Sequence, residues 1–117
     1  MSEEEIRQFI KRFYDALDAG DAETASALFP DGTEIDLWDG TTFHTQEEFR
    51  SWFVRLKSTS DNAKRHVVAL EVQGNRAKVE VVLEASIDGK KITVQLTHEF
   101  YFEGDKLVKV NVTIKPL

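Results

Sequence analysis

Four segments in which apolar and polar residues alternate fill the second half of the chain. Alternation with a period of two is typical of β-strands that bury one face. The dipeptides Gly74-Asn75, Asp88-Gly89 and Gly104-Asp105 separate the segments, and two-residue turns of this kind join neighbouring antiparallel strands. The sequence therefore predicts a four-stranded antiparallel meander.

The same alternation predicts which side chains face the core. The predicted inward sets are Val68, Leu70, Val72; Ala77, Val79, Val81, Leu83, Ala85, Ile87; Ile92, Val94, Leu96, His98, Phe100, Phe102; and Val108, Val110, Val112, Ile114. A histidine stands in the middle of the third set, where an apolar residue would pack better. His98 is therefore the first candidate for a functional residue.

Helix signals dominate the first half of the chain. Ser2 and Glu5 form a capping box ahead of apolar residues at helical spacing, and Gly20 ends this helix. Asp21 caps a short second helix that we expect to reach about Phe29.

A hairpin and a third helix are predicted next. Residues 33–45 indicate a short hairpin with a type I′ turn at Asp39-Gly40. Thr45 and Glu48 form a second capping box, and residues 58–63 indicate a polar loop after the third helix. The apolar stripe of that helix consists of Phe49, Trp52, Phe53 and Leu56.

This order of elements predicts an α+β fold. We expect a curved antiparallel sheet of about six strands, wrapped as a cone around three helices and enclosing a pocket. No linker, repeat or low-complexity segment interrupts residues 1–117, so we expect a single domain.

Composition excludes several function classes. The net charge is −6 with acids and bases interspersed, which argues against a nucleic-acid partner. No apolar run approaches the ~20 residues that span a bilayer, and the acidic N-terminus does not resemble a signal peptide. Cysteine is absent, so disulfides and thiolate chemistry are excluded. We expect a soluble protein with no membrane partner, either a monomer or a weak dimer.

The local signals agree with one another throughout the chain. Every predicted helix start and hairpin turn carries a residue that its geometry favours. This agreement is typical of an idealised, designed sequence; the alternative is a well-behaved natural domain. A synthetic chain has no natural location, and we expect it to be cytoplasmic when expressed.

Four polar residues are candidates to line the pocket. Tyr14 and Asp18 are four positions apart on the first helix and share one face. His98 points inward by strand parity and suits a tyrosine hydroxyl as its partner. Arg65 suits Asp18, but it faces inward only if a β-bulge lies near Val67-Val68.

Simpler interpretations of these residues stay open at this point. Tyr14 and His98 could be satisfied core residues, and Arg65 an exposed charge at a strand end. His66 and His98 both face inward by parity, so with Asp18 they could form a two-histidine, one-carboxylate metal site. Nothing in the sequence orients those ligands, and we expect no metal.

Four longer segments resemble a known family. "IRQF" at 6–9, "RFYDALDAGDAETASALF" at 12–29, "LWDGTTF" at 37–43 and "EEFRSWFVRL" at 47–56 are similar to de novo designed luciferases of the LuxSit type. Those proteins have the nuclear-transport-factor-2-like fold, which ketosteroid isomerases, limonene epoxide hydrolases and polyketide cyclases share. Their tyrosine–histidine and aspartate–arginine pairs match Tyr14 with His98 and Asp18 with Arg65. Ser60, Leu96 and Val110 resemble the optimised form of the design.

The resemblance implies a function and a substrate. It implies oxidation of a synthetic coelenterazine analogue of the diphenylterazine type by O₂, giving an excited amide, CO₂ and light without a cofactor. Arg65 would stabilise the imidazopyrazinone anion, and Asp18 would hold Arg65. Tyr14 and His98 would bind the heterocycle and relay its proton. The substrate-binding candidates are Ile35, Leu37, Trp38, Phe49, Trp52, Phe53, Ser60, Leu83, Leu96 and Val110.

Other functions of the same fold are the alternatives. A ketosteroid isomerase needs an inward carboxylate on the sheet as its base, and strand parity places none there. An epoxide hydrolase needs two carboxylates around an arginine, and only Asp18 is evident. A designed scaffold that binds a small molecule without catalysis would keep the apolar walls and make the polar residues incidental.

Overall fold

The computed structural model describes residues 1–116, with all of their side chains except those at positions 61 and 116. Its elements are α1 (Glu3–Asp18), α2 (Ala22–Ala27), β1 (Glu34–Asp36), β2 (Thr42–Phe43), α3 (Gln46–Thr59), β3 (Ser60–Gln73), β4 (Arg76–Ile87), β5 (Lys90–Glu103) and β6 (Lys106–Pro116). The predicted α+β class and order of elements are confirmed. No helix in this described range is long and apolar enough to cross a membrane.

The predicted helix starts are confirmed with one difference in detail. Ser2 and Glu5 cap α1 reciprocally, and Asp21 accepts from the N–H of Thr24 at the start of α2. Thr45 caps α3, but Glu48 accepts from the N–H of His44, one residue earlier than a capping box requires. Helix α2 ends at Ala27, short of the predicted Phe29.

The six strands form one curved, open sheet in the order β2-β1-β6-β5-β4-β3. Strands β3 to β6 form the predicted meander, with the two-residue turns in the expected places. The short strand β1 pairs with β6 in parallel, so the sheet is mixed and the prediction of a purely antiparallel sheet is wrong. The parallel pair arises because the chain passes through α3 and the whole meander between these two strands.

The turn between β1 and β2 is not the predicted type I′ turn. Only Gly40 has a positive φ, at 88°, whereas a type I′ turn needs positive φ at both central residues. Gly40 donates to the carbonyl of Leu37, and Leu37 donates to the carbonyl of Thr41. The Asp39 carboxylate accepts from the N–H of Thr41, which favours this longer loop.

No polar loop separates α3 from β3. Helix α3 continues to Thr59 and β3 begins at Ser60, so the prediction of a loop over 58–63 is wrong. Asn62 takes a positive φ of 56°, and the pairing with β4 shifts between Asp61 and Lys64. An irregularity inside the strand thus makes the bend that a loop would have made.

Two β-bulges change which residues face the core. On β3 the register shifts between Val67 and Ala69, which confirms the bulge expected there and leaves Val68 57% exposed. A second shift lies opposite Tyr101 and Phe102 on β6, so Leu107 is buried in place of the predicted Val108. The assignment of Val68 and Val108 to the inward sets is therefore wrong, because each is the extra residue of a bulge and has no partner on the neighbouring strand.

The core lies between the helices and the concave face of the sheet. Phe13 of α1 packs edge-to-face on Phe100 of β5 at 6.0 Å between ring centroids. Phe49 of α3 packs the same way on Phe29 at 5.3 Å. These aromatic contacts hold both helices and the Phe29 segment in one core with the sheet.

Candidate functional site

An apolar cavity lies between the concave face of the sheet and helices α1 and α3. It contains about 590 Å³ of space between atoms, a figure that includes the open solvent at its mouth. Its walls consist of Phe13, Leu17, Ile35, Leu37, Trp38, Phe49, Trp52, Leu56, Arg65, Leu83, Leu96, His98, Val110 and Val112. We call this space the inner cavity. Arg65 and His98 are the ionisable groups among its described walls.

Tyr14 and His98 form a buried hydrogen-bonded pair. The Tyr14 hydroxyl lies 2.8 Å from Nδ1 of His98, and the two residues are 5% and 6% exposed. The phenol proton has no other partner among the described groups, so we assign it as the donor to Nδ1. This assignment puts the imidazole proton on Nε2. Every fully buried side-chain nitrogen or oxygen in the described chain has a hydrogen-bond partner. Nε2 of His98 has no such partner, so it is not fully buried, and we infer that it is open to the inner cavity that His98 lines.

Both members of this pair are neutral at pH 7. Burial, and then the positive charge of Arg65, lower the pKa of His98 from 6.5 to about 3. Burial raises the pKa of Tyr14 well above its ordinary value of 10, and the charge of Arg65 opposes this shift only in part. His98 therefore does not titrate near neutrality as the sequence suggested, because its imidazolium would lose its water and lie near a guanidinium.

Asp18 and Arg65 form an ion pair at the wall of the inner cavity. Nη1 of Arg65 donates to Oδ1 of Asp18 at 2.9 Å, and the backbone N–H of Arg65 donates to Oδ2 at 3.3 Å. The bulge at Val68 sets Arg65 opposite Leu83, another cavity residue. The Arg65 side chain is only 7% exposed, whereas that of Asp18 is 29% exposed. Arg65 thus lines the inner cavity, whereas its counter-ion Asp18 does not.

The structure brings most of the predicted site residues together. Eight of the ten substrate-binding candidates lie on the cavity wall: Ile35, Leu37, Trp38, Phe49, Trp52, Leu83, Leu96 and Val110. Phe53 and Ser60 do not; they line a separate outer pocket, as does Asp18. Tyr14 lies behind His98 and reaches the cavity only through it.

Sequence reasoning missed four wall residues. These are Phe13, Leu17, Leu56 and Val112. Each one was predicted to lie on an inward-facing helix stripe or strand face, so the signal was present. What the sequence did not give was the position of the empty space along those faces.

The alternative metal site does not assemble. His66 lies on the outer face, where its side chain is 51% exposed and its Nε2 is 3.6 Å from Glu84. Its predicted inward parity is wrong, because the bulge at Val68 reverses the parity of the strand before it. Among the side chains that the structure describes, no three metal-ligating groups come together.

Residues 10–110 match the profile of the SnoaL-like domain. The match covers most of the 117 residues. The chain belongs to the SnoaL-like family. No curated protein has a sequence significantly similar to that of this SnoaL-like chain.

Solved structures share the SnoaL-like fold at low sequence identity. A protein of Shewanella denitrificans OS-217 assigned as a SnoaL-like polyketide cyclase has a TM-score of 0.86 at 11% identity, over 97% of this chain and 92% of its own. An NTF2-like protein of Burkholderia pseudomallei K96243 has a TM-score of 0.87 at 17% identity, over 98% and 92%. An LEH-like epoxide hydrolase of Mycobacterium tuberculosis has a TM-score of 0.80 at 12% identity, over 95% and 83%. At these identities the likeness establishes the fold alone.

The inner cavity of this SnoaL-like chain carries a net positive charge on its described walls. Its described walls include one cation, Arg65, and no carboxylate. The neutral Nε2–H of His98 is a second hydrogen-bond donor. A cavity with these groups stabilises a negative charge on a mostly apolar ligand.

Proposed function

We propose that this chain is a cofactor-independent luciferase that oxidises an imidazopyrazinone of the diphenylterazine type with O₂. One observation carries the proposal. Arg65, held by Asp18 and 7% exposed at its side chain, lines an apolar cavity together with the donor His98. A fixed positive charge in such a cavity stabilises an anion far better than it would in water.

The resemblance to designed luciferases supplies the substrate class and a synthetic origin. The family comparisons support the coarser statement that the fold belongs to a group with enzymes, including proteins assigned as polyketide cyclases and an epoxide hydrolase. The aryl substituents of an imidazopyrazinone need extended apolar contact. Trp38, Trp52 and the aliphatic side chains of the sheet supply it.

The reaction balances with O₂ as the only co-substrate. The imidazopyrazinone loses its N–H proton and becomes an electron-rich anion. The ring carbon next to the carbonyl forms a C–O bond with O₂, and the terminal oxygen of the resulting peroxide attacks the carbonyl carbon. The bond between that carbon and the ring nitrogen breaks as the dioxetanone closes. The O–O bond and the bond between the two dioxetanone carbons then break, which releases CO₂. The excited amide that remains emits light. One oxygen of O₂ ends in CO₂ and the other in the amide.

The pKa values define the role of His98 in this proposal. With a pKa of about 3, His98 is too weak a base to hold the substrate proton at pH 7, so that proton goes to water. His98 instead donates from Nε2 to the anion, with Tyr14 fixing its tautomer. Both ionisable cavity residues then stabilise charge, and neither has to change its protonation state.

A three-ring ligand has to enter the inner cavity through its mouth, past Trp38. Trp38 is 43% exposed there, in the loop between β1 and β2. Its ring can move outward at little cost because few of its contacts are buried. The remaining walls are set by helices and long strands.

The other activities of the fold lack a group in this cavity. A ketosteroid isomerase base and the paired carboxylates of an epoxide hydrolase would have to lie on its walls. The described walls hold none, and Asp18 points to the outer pocket. A binding scaffold without catalysis stays as the rival, and an activity measurement separates the two.

The test is to mix the purified protein with diphenylterazine in ¹⁸O₂-enriched air and record light and products together. We expect light, with one labelled oxygen in CO₂ and one in the amide. Arg76→Ala is the matched control for Arg65→Ala, because Arg76 also pairs with a carboxylate, Glu99, but lies on the outer face. Darkness from a folded parent protein would overturn the proposal.

A further inference from the structure

A second pocket lies on the other side of Arg65. It encloses about 730 Å³, including solvent at its mouth, and its lining is Leu17, Asp18, Ala19, Gly20, Phe53, Leu56, Lys57, Ser60, Asn62, Ala63 and Arg65. We call it the outer pocket. Its lining is much more polar than that of the inner cavity, and Asp18, Lys57 and Asn62 are exposed to solvent. Water therefore has access to it.

Three side chains belong to both linings. They are Leu17 from α1, Leu56 from α3 and Arg65 from β3. Each comes from a different element, and α1 and α3 both contact β3 here. The two spaces are thus separated by a wall one side chain thick, which we call the partition.

The partition differs from the rest of the cavity wall. Leu83, Leu96 and Val110 stand on a continuous sheet whose backbone blocks water behind them. At the partition, Leu17, Leu56 and Arg65 are the described residues that both linings share. Leu17 is 7% exposed and the side chain of Arg65 is 7% exposed, so packing among these three side chains is what separates water from the cavity.

We propose that the partition sets the light yield of the reaction by keeping water of the outer pocket away from the excited amide. This inference rests on the proposed luciferase function. It gives Arg65 a second role: its charge stabilises the anion before O₂ reacts, and its stem with Leu17 and Leu56 excludes water afterwards. The first role determines how fast substrate is consumed, and the second determines how many photons each consumed molecule yields.

Two substitutions separate the roles. Leu56→Ala opens the partition and leaves every charge in place. Arg65→Met removes the charge and keeps an unbranched stem of similar length in the partition. Val54→Ala is the matched control, because Val54 lies on the same helix but is 59% exposed and outside both linings.

The measurement is photons emitted per molecule of diphenylterazine consumed, beside the rate of consumption. We expect Leu56→Ala to lower the photon yield severalfold and by a larger factor than the rate. We expect the opposite order for Arg65→Met, and no change for Val54→Ala. A photon yield in Leu56→Ala equal to that of the parent would overturn the inference, and so would a yield that falls only in proportion to the rate.

A second measurement needs no substrate and so separates this inference from the proposed function. Trp52 lines the inner cavity one helical turn before Leu56. In a Trp38→Phe background Trp52 is the one remaining tryptophan, and quenching of its fluorescence by acrylamide reports entry of small polar molecules. Leu17→Ala, which opens the partition from the other helix, should increase quenching, and Val54→Ala should not. Unchanged quenching in Leu17→Ala would overturn the partition even in a bright enzyme. A dark parent with increased quenching would overturn the luciferase and the role in light yield, and would leave the partition as a barrier to small polar molecules.

Discussion

The two polar pairs of the site are built alike and behave differently. Helix α1 supplies one member of each, Tyr14 and Asp18, one turn apart, and the sheet supplies His98 and Arg65. The Tyr14–His98 pair is buried on both sides and neutral. In the Asp18–Arg65 pair the carboxylate is 29% exposed and lines only the outer pocket, whereas Arg65 lines both spaces.

Burial explains the difference. A charge that lies fully inside the protein loses its hydration, so His98 stays neutral and works as a hydrogen-bond donor. An ion pair survives at the partition because its carboxylate keeps part of its hydration while Arg65 lines the cavity. Two residues one turn apart on α1 thus hold different groups of the sheet: Tyr14 holds a neutral donor, His98, and Asp18 holds a fixed cation, Arg65.

The largest expected effect tests the fixed cation. Arg65→Met should lower kcat/KM for light emission by about 10²- to 10³-fold, the usual effect of losing one preorganised charge-stabilising donor. Arg76→Met, whose side chain is 62% exposed in the parent, should stay close to the parent. Similar losses in both variants would mean that Arg65 has no special role, and the comparison of the pairs would fail.

The two pairs also differ in how well the sequence predicted them. His98 lies on a regular stretch of β5, so parity alone placed it inward. Arg65 lies on β3 before a bulge, and only the adjacent valines at 67 and 68 hinted at it. A bulge depends on how the whole sheet curves, which local sequence does not encode. The same limit explains the misassignments of Val68, Val108 and His66.

Local chemistry predicted the rest of the fold well. Caps and turn dipeptides are decided by a few neighbouring residues, and the helix starts and meander turns were correct for that reason. The parallel pairing of β1 with β6 joins residues more than 70 positions apart in sequence, and no local signal specifies it. The size of the inner cavity likewise depends on packing between elements.

The next prediction tests the neutral pair through stability. The folded state holds His98 at a pKa of about 3, against 6.5 when exposed, so the unfolded chain binds the extra proton below pH 6.5. The contribution of the neutral His98 to the free energy of unfolding is fully present above pH 6.5. It decreases by about 1 kcal/mol per pH unit as the pH falls from 6.5 toward 3. Between pH 7 and pH 4.5 the parent should lose about 2 kcal/mol more unfolding free energy than His98→Phe.

Denaturant unfolding at several pH values measures this difference, and carboxylates common to both proteins cancel from it. His66→Gln is the control, because it removes a histidine whose side chain is 51% exposed on the outer face. It should show the pH dependence of the parent. Parallel curves for the parent and His98→Phe would show that His98 binds its proton as readily in the fold as in the unfolded chain, which would remove the contrast between the pairs.

A third prediction concerns the donor role of His98 in the reaction. His98→Phe preserves ring volume and removes the Nε2–H donor, so light emission should fall by roughly 10- to 100-fold, as expected for a hydrogen bond to a charged group. The loss should be the same from pH 6 to pH 9, because His98 does not titrate there. A loss that appears only at high or low pH would indicate that His98 transfers the substrate proton instead.

The smallest effect is expected for Tyr14→Phe, which keeps the ring and removes the hydroxyl that holds Nδ1 of His98 at 2.8 Å. Without that partner the imidazole can carry its proton on either nitrogen, and only one tautomer donates to the substrate. The loss of one neutral hydrogen bond corresponds to about 1 kcal/mol, or roughly a fivefold decrease in light. In a His98→Phe background Tyr14→Phe should cause no further loss, since the hydroxyl acts through the imidazole. Independent, additive losses would instead show that Tyr14 contacts the substrate itself.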